Sequence, residues 1–513
     1  MMRSENVIKN SIWTTINTVI TIAIGFISRT IFIYILNSEY LGIDGLFSNI
    51  LSLLSLSELG FGSAVTFNLY KPLREKDEKK IAAIMNFYKW IYRMVAIFIF
   101  VVGMCLVPFL RYIIKDTTFD IKYITGIYVL FLIKTAITYL YSYNFTLATA
   151  DQRGYIIGHI TMINNIVTPI AKIVALAITR SFVAYIVAEI VLTLGFNLIK
   201  TLHVKKAYPV LEDTKSSLEK QETRKILKDV QNIFLGKVST TVLTSTDNLI
   251  ISSFVNVISV GFMSNYNTLV NYISTFISGA LYSAQASIGN AIASEGKEYV
   301  YNILKKLTLI TLFVASFATT ALFCLSSDFI SIVWSKNEDM TLPVVTVFIV
   351  MFNAFFQFIK SPLWITLTSA GLFEKDKYIS FIGMVMNIVV SLILVQYLGL
   401  VGVILGTIIS QSVQMILKAK LLFNEYFFMG SGKYLLLILE CFTLFVAEEL
   451  LTYFICINIP VSNIYLLFVC KMFMCVIVPN LMNYAIFHKT EEYEYFLKLI
   501  LKITKIVHRK RRF

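Results

Sequence analysis

Charged residues are scarce in this sequence. Only 15% of its 513 residues are Asp, Glu, Lys or Arg, against roughly 25% in an ordinary soluble domain. Hydrophobic residues make up 57%, more than a soluble core could bury. Histidine is scarcer still. The four (His159, His203, His488, His508) sit apart at the ends of apolar segments, and there is no Asp-x-Asp pair. Chemistry that needs a catalytic base or metal-binding carboxylates therefore has no constellation to use, and no loop is long enough for a separate catalytic domain. This counts against a membrane polymerase or glycosyltransferase, which is kept as the lesser alternative, and an enzyme is not expected. The six cysteines (Cys105, Cys324, Cys441, Cys456, Cys470, Cys475) fall in apolar segments without metal-ligand spacing, so they read as small buried hydrophobes. No metal and no cofactor is expected.

Apolar runs fill the chain instead, each about 20 residues long, the length that crosses a bilayer. The first lacks a small-residue cleavage site and is too long for a signal-peptide core, so it reads as a retained helix. The fold class is all-α integral membrane, with about fourteen helices placed near 12–36, 45–70, 90–112, 123–148, 156–179, 183–202, 230–254, 263–290, 306–328, 343–369, 379–398, 401–423, 434–457 and 464–487. Residues 203–229 are charged and polar and read as a cytoplasmic linker.

Orientation follows from the bias of Lys and Arg towards cytoplasmic loops. With the N-terminus inside, only Arg111, Lys115, Lys122, Arg180 and Lys336 of the 45 Lys and Arg fall in outer loops. Both termini are expected in the cytoplasm. The formal charge of +14 is then explained by topology and by anionic membrane lipid, without nucleic acid. The tail, 488–513, places Phe496, Leu499, Ile500, Ile503, Ile506 and Val507 at helical spacing among Lys and Arg, a basic amphipathic helix for the inner membrane surface.

The chain also repeats itself. Arg29 and Gly42 correspond to Asp247 and Gly261; Thr146–Ala150 corresponds to Thr366–Ala370; an Asn-Ile-Val at Asn165 returns at Asn387. All four pairs lie about 220 residues apart in the same order. A six-helix offset preserves orientation, so the halves are parallel repeats about an axis along the membrane normal. Residues 1–202 would form an N-lobe, 230–433 a C-lobe and 434–487 two appended helices. In proteins built this way, substrate and coupling sites lie between the lobes.

The Tyr40–Gly45 run (Tyr-Leu-Gly-Ile-Asp-Gly), the Ser57–Ala64 run (Ser-Glu-Leu-Gly-Phe-Gly-Ser-Ala) and the Ser245–Ser252 run (Ser-Thr-Asp-Asn-Leu-Ile-Ile-Ser) resemble the Wzx-type polysaccharide flippases of O-antigen and capsule synthesis. Those belong to the multidrug/oligosaccharidyl-lipid/polysaccharide (MOP) exporter superfamily. The resemblance covers essentially the whole chain, with MATE-like lobes in the 6+6+2 arrangement also seen in the peptidoglycan lipid flippase. It implies a bacterial plasma-membrane protein that moves an undecaprenyl-diphosphate-linked oligosaccharide from the inner to the outer leaflet by alternating access. Its partners would be that lipid, anionic membrane lipid and a polysaccharide polymerase.

The embedded charges agree with that chemistry. In the lobe helices Arg29, Lys134, Lys172, Lys237 and Lys360 outnumber Glu58, Glu189 and Asp247. A diphosphate cannot cross hydrocarbon unpaired, so its transporter must supply a hydrated, net cationic cavity. Arg29, Lys134, Lys237 and Lys360 are the expected substrate-binding cations, with Asp247 and Glu58 in coupling or gating. Arg29 and Asp247, at matching repeat positions, are expected to pair across one cavity in a closed state. For Lys237 snorkelling at a helix end competes with this role, and for Lys172 and Glu189 a structural pair does. Glu448, Glu449 and Lys471 read as a structural ion pair. The seam Ser239, Thr240, Thr241, Thr244, Ser245, Asn248, Asn265, Asn267 and Asn271 either hydrates the cavity or joins helices. Pro169 and Pro362 are expected to break their helices. A cation-coupled multidrug exporter of the same superfamily is the alternative, and its cavity should carry an acidic excess.

Overall fold

Backbone amides in hydrocarbon have only each other as partners, so apolar runs of this length close into helices. A computed structural model describes residues 2–58, 61–151, 153–335, 339–494 and 496–498. Among these, side chains are not described at 2–17, 56, 57, 63 and positions scattered through 229–293. The described residues form helices and the connections between them, with no strand. Ten of the helical segments are long and apolar enough to cross a membrane, and the protein is a multi-pass membrane protein.

The chain forms two compact units, Met1–Phe262 and Met263–Phe513. The first holds α1 (Met2–Ile35), α2 (Ser38–Leu54), α3 (Phe61–Glu75), α4 (Glu78–Cys105), α5 (Leu110–Ile113), α6 (Ile121–Ala150), α7 (Tyr155–Thr179), α8 (Phe182–Ala207), α9 (Lys220–Phe254) and the first turns of α10 (Val257–Ser294). The second holds the rest of α10, then α11 (Lys297–Phe329), α12 (Val344–Ile359), α13 (Ser361–Ser369), α14 (Phe373–Leu398), α15 (Leu400–Leu422), α16 (Gly432–Ile457) and α17 (Ile464–Phe487). Each of the fourteen expected segments has a helical counterpart. The helix expected near 230–254 is α9, and it packs on α2 and α3 within the first unit.

Three expected helices are divided, that near 90–112 into α4 and α5 by a 3-10 turn at Val107–Phe109. The second splits into α2 and α3 at a 3-10 turn, Ser55–Glu58. The tenth splits into α12 and α13 at Lys360, where Pro362 at the start of α13 has no N–H to continue the ladder. Pro169, by contrast, sits inside an unbroken α7. The stretch 38–44, between the expected helices 12–36 and 45–70, is not a loop. It lies within α2, which is started by the Asn37 side chain accepting from the Tyr40 amide.

In the first unit, Glu39 is 2% exposed and anchors the 117–118 turn, accepting from the Thr118 amide at 2.7 Å and the Thr118 hydroxyl at 2.5 Å. Two glycines, Gly42 and Gly261, let α2 and the start of α10 cross at backbone distance. A Cβ at Gly42 would run into the Val257 carbonyl, and one at Gly261 into the Ser38 carbonyl. The linker is docked as well. Asn86 of α4 donates to the carbonyls of Asp213 and Ser216 at 2.9 and 3.0 Å, and Lys80 pairs with Glu222.

In the second unit, α11 packs on α12, α16 and α17. Phe355 and Phe445 stack at 4.0 Å in this core. The hairpin α14–α15 closes over Asn387, which donates to Thr407 at 2.9 Å. It turns through Gly399 at φ 56°, as α7–α8 turns through Arg180 at φ 52°. These two positive-φ positions are themselves about 220 residues apart. The repeat is thus visible in the backbone. The start of the tail also packs here: Glu492 pairs with Lys305 at 2.9 Å, and Tyr493 and Phe496 lie against Phe313. The remainder of the expected amphipathic helix, from 499 onward, lies outside the described residues.

Candidate functional site

Ionised side chains on apolar helices are costly unless opposite charges or polar groups meet them. In the first unit they meet around Glu189 of α8. Its carboxylate accepts Lys172 of α7 at 2.6 Å on one oxygen and Lys134 of α6 at 3.4 Å on the other. The lysines are further held by aromatic faces: Lys172 lies 4.2 Å from the Tyr185 ring centroid and Lys134 lies 4.5 Å from that of Phe131. Asp44 of α2 is the electrostatic neighbour of Lys172, Lys134, Glu189 and Arg29. Arg29 of α1 therefore belongs to the same cluster. Three cations and two carboxylates from five helices converge, and the balance is positive.

Lys134 also opens onto a cavity of about 450 Å³. Its hydroxyl lining comes from Ser48, Ser52 and Ser55 beside α2, Thr135 of α6 and Thr241 of α9, and Glu58 lies in its wall. Glu58 is built in by tyrosines. It accepts from Tyr92, Tyr92 in turn accepts from Tyr88 at 2.7 Å, and Tyr139 lies within hydrogen-bond reach of Glu58 and Ser55. The cavity thus carries one ammonium, one carboxylate and a ring of hydroxyls, a lining suited to a hydrated, hydrogen-bonding ligand.

Lys360 lies in the second unit, at the α12–α13 break. Its ammonium donates to the Gln411 side-chain oxygen at 2.6 Å, and Gln411 in turn reaches Asn353 at 3.4 Å. Trp364 lies under both Lys360 and Lys418, at 5.6 and 4.6 Å. Lys418 is paired with Asp376 at 2.7 Å and donates to the Ser380 hydroxyl at 3.0 Å. Among the described residues no carboxylate pairs with Lys360. With a neutral amide as its partner, its charge is left for an added anion.

The second unit also bears an apolar groove of about 440 Å³, lined by α10, α11 and α17 residues that include Phe276, Phe317, Leu322, Phe329 and Phe468. Lys471 pairs with Asp328 at 2.5 Å, not with Glu448 or Glu449 as the sequence reading has it. Both glutamates are fully buried on α16.

Of the expected site residues, Arg29 and Lys134 share one electrostatic cluster, and Lys134 and Glu58 share one cavity. Asp247 is half-buried on α9. Lys237 lies on α9, but its side chain is outside the described residues, as are those of Thr240 and Thr244. Of the polar seam, Thr241 reaches the cavity, while Ser239, Ser245 and Asn265 are buried. Asp44 falls in the connection between the expected helices 12–36 and 45–70, but it lies in α2. Asn37 followed by Glu39 signals a helix start there, and apolar residues recur at helical spacing through Leu46, Phe47, Ile50 and Leu51. The glycines outweighed that signal.

No family model and no curated protein matches the sequence. Solved structures do match the fold. Lipid II flippase MurJ in an inward closed conformation superposes with a TM-score of 0.67 at 14% identity, over 93% of this chain and 99% of that one. An inward-facing multidrug resistance MATE family transporter of the MOP superfamily gives 0.59 at 15% identity, over 77% and 92%. The MATE multidrug transporter DinF-BH gives 0.56 at 17% identity, over 80% and 94%. The fold is that of the MOP-type transporters.

Proposed function

We propose that this protein is a transporter that moves a diphosphate-linked lipid oligosaccharide across the bacterial plasma membrane, from the inner to the outer leaflet, by alternating access. The observation that carries this reading is the cationic balance of the embedded polar groups. Arg29, Lys134 and Lys172 face Asp44 and Glu189, and Lys360 has an amide for its partner. A lipid diphosphate brings about two negative charges into the membrane plane, and each charge-assisted hydrogen bond it gains is worth about 1.5–3 kcal/mol. The hydroxyl-lined cavity beside Lys134 suits the glycan, and the apolar groove on α10, α11 and α17 suits a prenyl chain. Lys237 is assigned to the substrate as a further cation, and Asp247 and Glu58 to coupling. Anionic lipid and a polysaccharide polymerase are the proposed partners.

A cation exporter with this fold would need acidic residues in excess, and the cluster runs the other way. Equilibrium binding to the purified protein in detergent separates the two. Undecaprenyl diphosphate should bind more tightly than undecaprenol, and the difference should shrink with added salt as the charges are screened. Equal binding of the two lipids, with tight binding of a lipophilic cation, would refute the assignment.

A further inference from the structure

Cys324 of α11, Cys456 of α16 and Cys475 of α17 come from distant parts of the sequence, yet their sulfur atoms all lie within 4.8 Å of one another. All three are buried and none is in a disulfide. The chain has only six cysteines, and half of them meet at one point of the second unit. We propose that they form a three-thiolate site for a soft d10 metal ion, Zn²⁺ or Cu⁺. With a metal–sulfur bond of about 2.3 Å, three sulfurs in a trigonal arrangement stand about 4 Å apart. The observed cluster therefore needs little adjustment to close on one ion. Thiolates select such ions over hard cations, and three sulfurs do not supply the oxygen ligands that Mg²⁺ and Ca²⁺ need.

Binding is a simple exchange: one divalent ion displaces three thiol protons and leaves a site of charge −1, while Cu⁺ leaves −2. The ammonium of Lys471 is an electrostatic neighbour of Cys456 and Cys475. It is anchored by Asp328 at 2.5 Å, one helical turn from Cys324, as Lys471 itself is from Cys475. A cation held at that place offsets negative charge on the sulfurs. Mechanically, the ion would tie α16 and α17 to α11. The helices following the two six-helix repeats would then be locked to the second unit by a clasp that chelators open.

The test uses the full chain in detergent, kept reduced and stripped of metal, and titrated with Cd²⁺ as a spectroscopic probe. One Cd²⁺ per chain should bind, with a near-ultraviolet thiolate-to-metal charge-transfer band. Zn²⁺ and Cu⁺ should each compete, and the tighter competitor names the ion. A Cys105→Ala/Cys441→Ala/Cys470→Ala variant should titrate like the wild type. Cys324→Ala, Cys456→Ala or Cys475→Ala should each weaken binding by about 100-fold or more, the upper range for groups supporting a metal site. Bound Zn²⁺ should also protect three thiols of the wild type from alkylation, a measurement independent of whether the variants fold. No charge-transfer band in the wild type, a band that survives the cluster substitutions, or a disulfide between two of the three cysteines as the stable form would each overturn the proposal.

Discussion

Glu189 holds two lysines with one carboxylate, and the consequences of removing its members are unequal. Replacing Lys134 with Gln leaves the 2.6 Å Lys172–Glu189 pair in place. Replacing Glu189 with Gln leaves two ammonium groups without their carboxylate on apolar helices. Breaking a buried pair from one side costs about 3–5 kcal/mol, and partial exposure here places the effect at about 3 kcal/mol. Glu189→Gln should therefore lower thermal stability in detergent clearly more than Lys134→Gln, whose cost should stay under about 1 kcal/mol; equal shifts would contradict the shared-carboxylate geometry. Lys360 makes the complementary case. With Gln411 as its partner, Lys360→Gln removes charge without orphaning a carboxylate, so folding should persist. Lipid export should fall by about 10-fold or more, the loss of one charge-assisted contact. Lys360→Arg should retain more activity than Gln, because the charge survives.

At the scale of elements, the backbone crossing of α2 and α10 leaves little tolerance. Gly42→Ala and Gly261→Ala drive a methyl into a carbonyl, a backbone group that cannot rotate away. Each should cost about 1–3 kcal/mol in unfolding. Gly195→Ala on α8 meets nothing within 4 Å and should be neutral or stabilising by up to about 1 kcal/mol, as alanine favours the helix. A scan of melting temperatures in detergent reads all three. The docked linker should respond to acid through Asp213. The Ser216 hydroxyl and the amides of Lys215 and Ser216 hold the Asp213 carboxyl below its usual value of 3.8. A depressed carboxylate stabilises the folded state above its unfolded pKa and loses that contribution as pH falls through the folded value. Protease protection of residues 208–219 should thus hold at neutral pH and weaken below about pH 3.8. Protection that weakens instead on raising the pH would contradict this docking.

At the scale of the whole molecule, the apolar runs made the helix inventory legible, because hydrocarbon length and backbone satisfaction leave few alternatives. The repeat was legible too, and it returns in the matched turns at Arg180 and Gly399. Local contradictions were not. Gly42, Asp44 and Gly45 look like a turn in the sequence but lie in a helix, where the glycine at 42 serves a crossing and the aspartate joins a charge cluster. Nor do spacings within one helix reveal that Lys471 reaches Asp328, 143 positions away, or that three cysteines from three helices share one point. Such contacts depend on tertiary packing, which local periodicity does not encode.

In the proposed transport, the embedded cations serve a lipid diphosphate. Its most direct measurement is leaflet exchange of an undecaprenyl-diphosphate oligosaccharide in sealed vesicles bearing the purified protein, wild type beside Lys134→Gln/Lys360→Gln. Wild-type vesicles should expose the lipid-linked sugar on the opposite face. The double variant, equally inserted and monodisperse, should be slower by about 100-fold or more, the product of two lost charge-assisted contacts. Transport at the wild-type rate by the double variant, or no exchange of this lipid by wild-type protein that does move a lipophilic cation, would contradict the account.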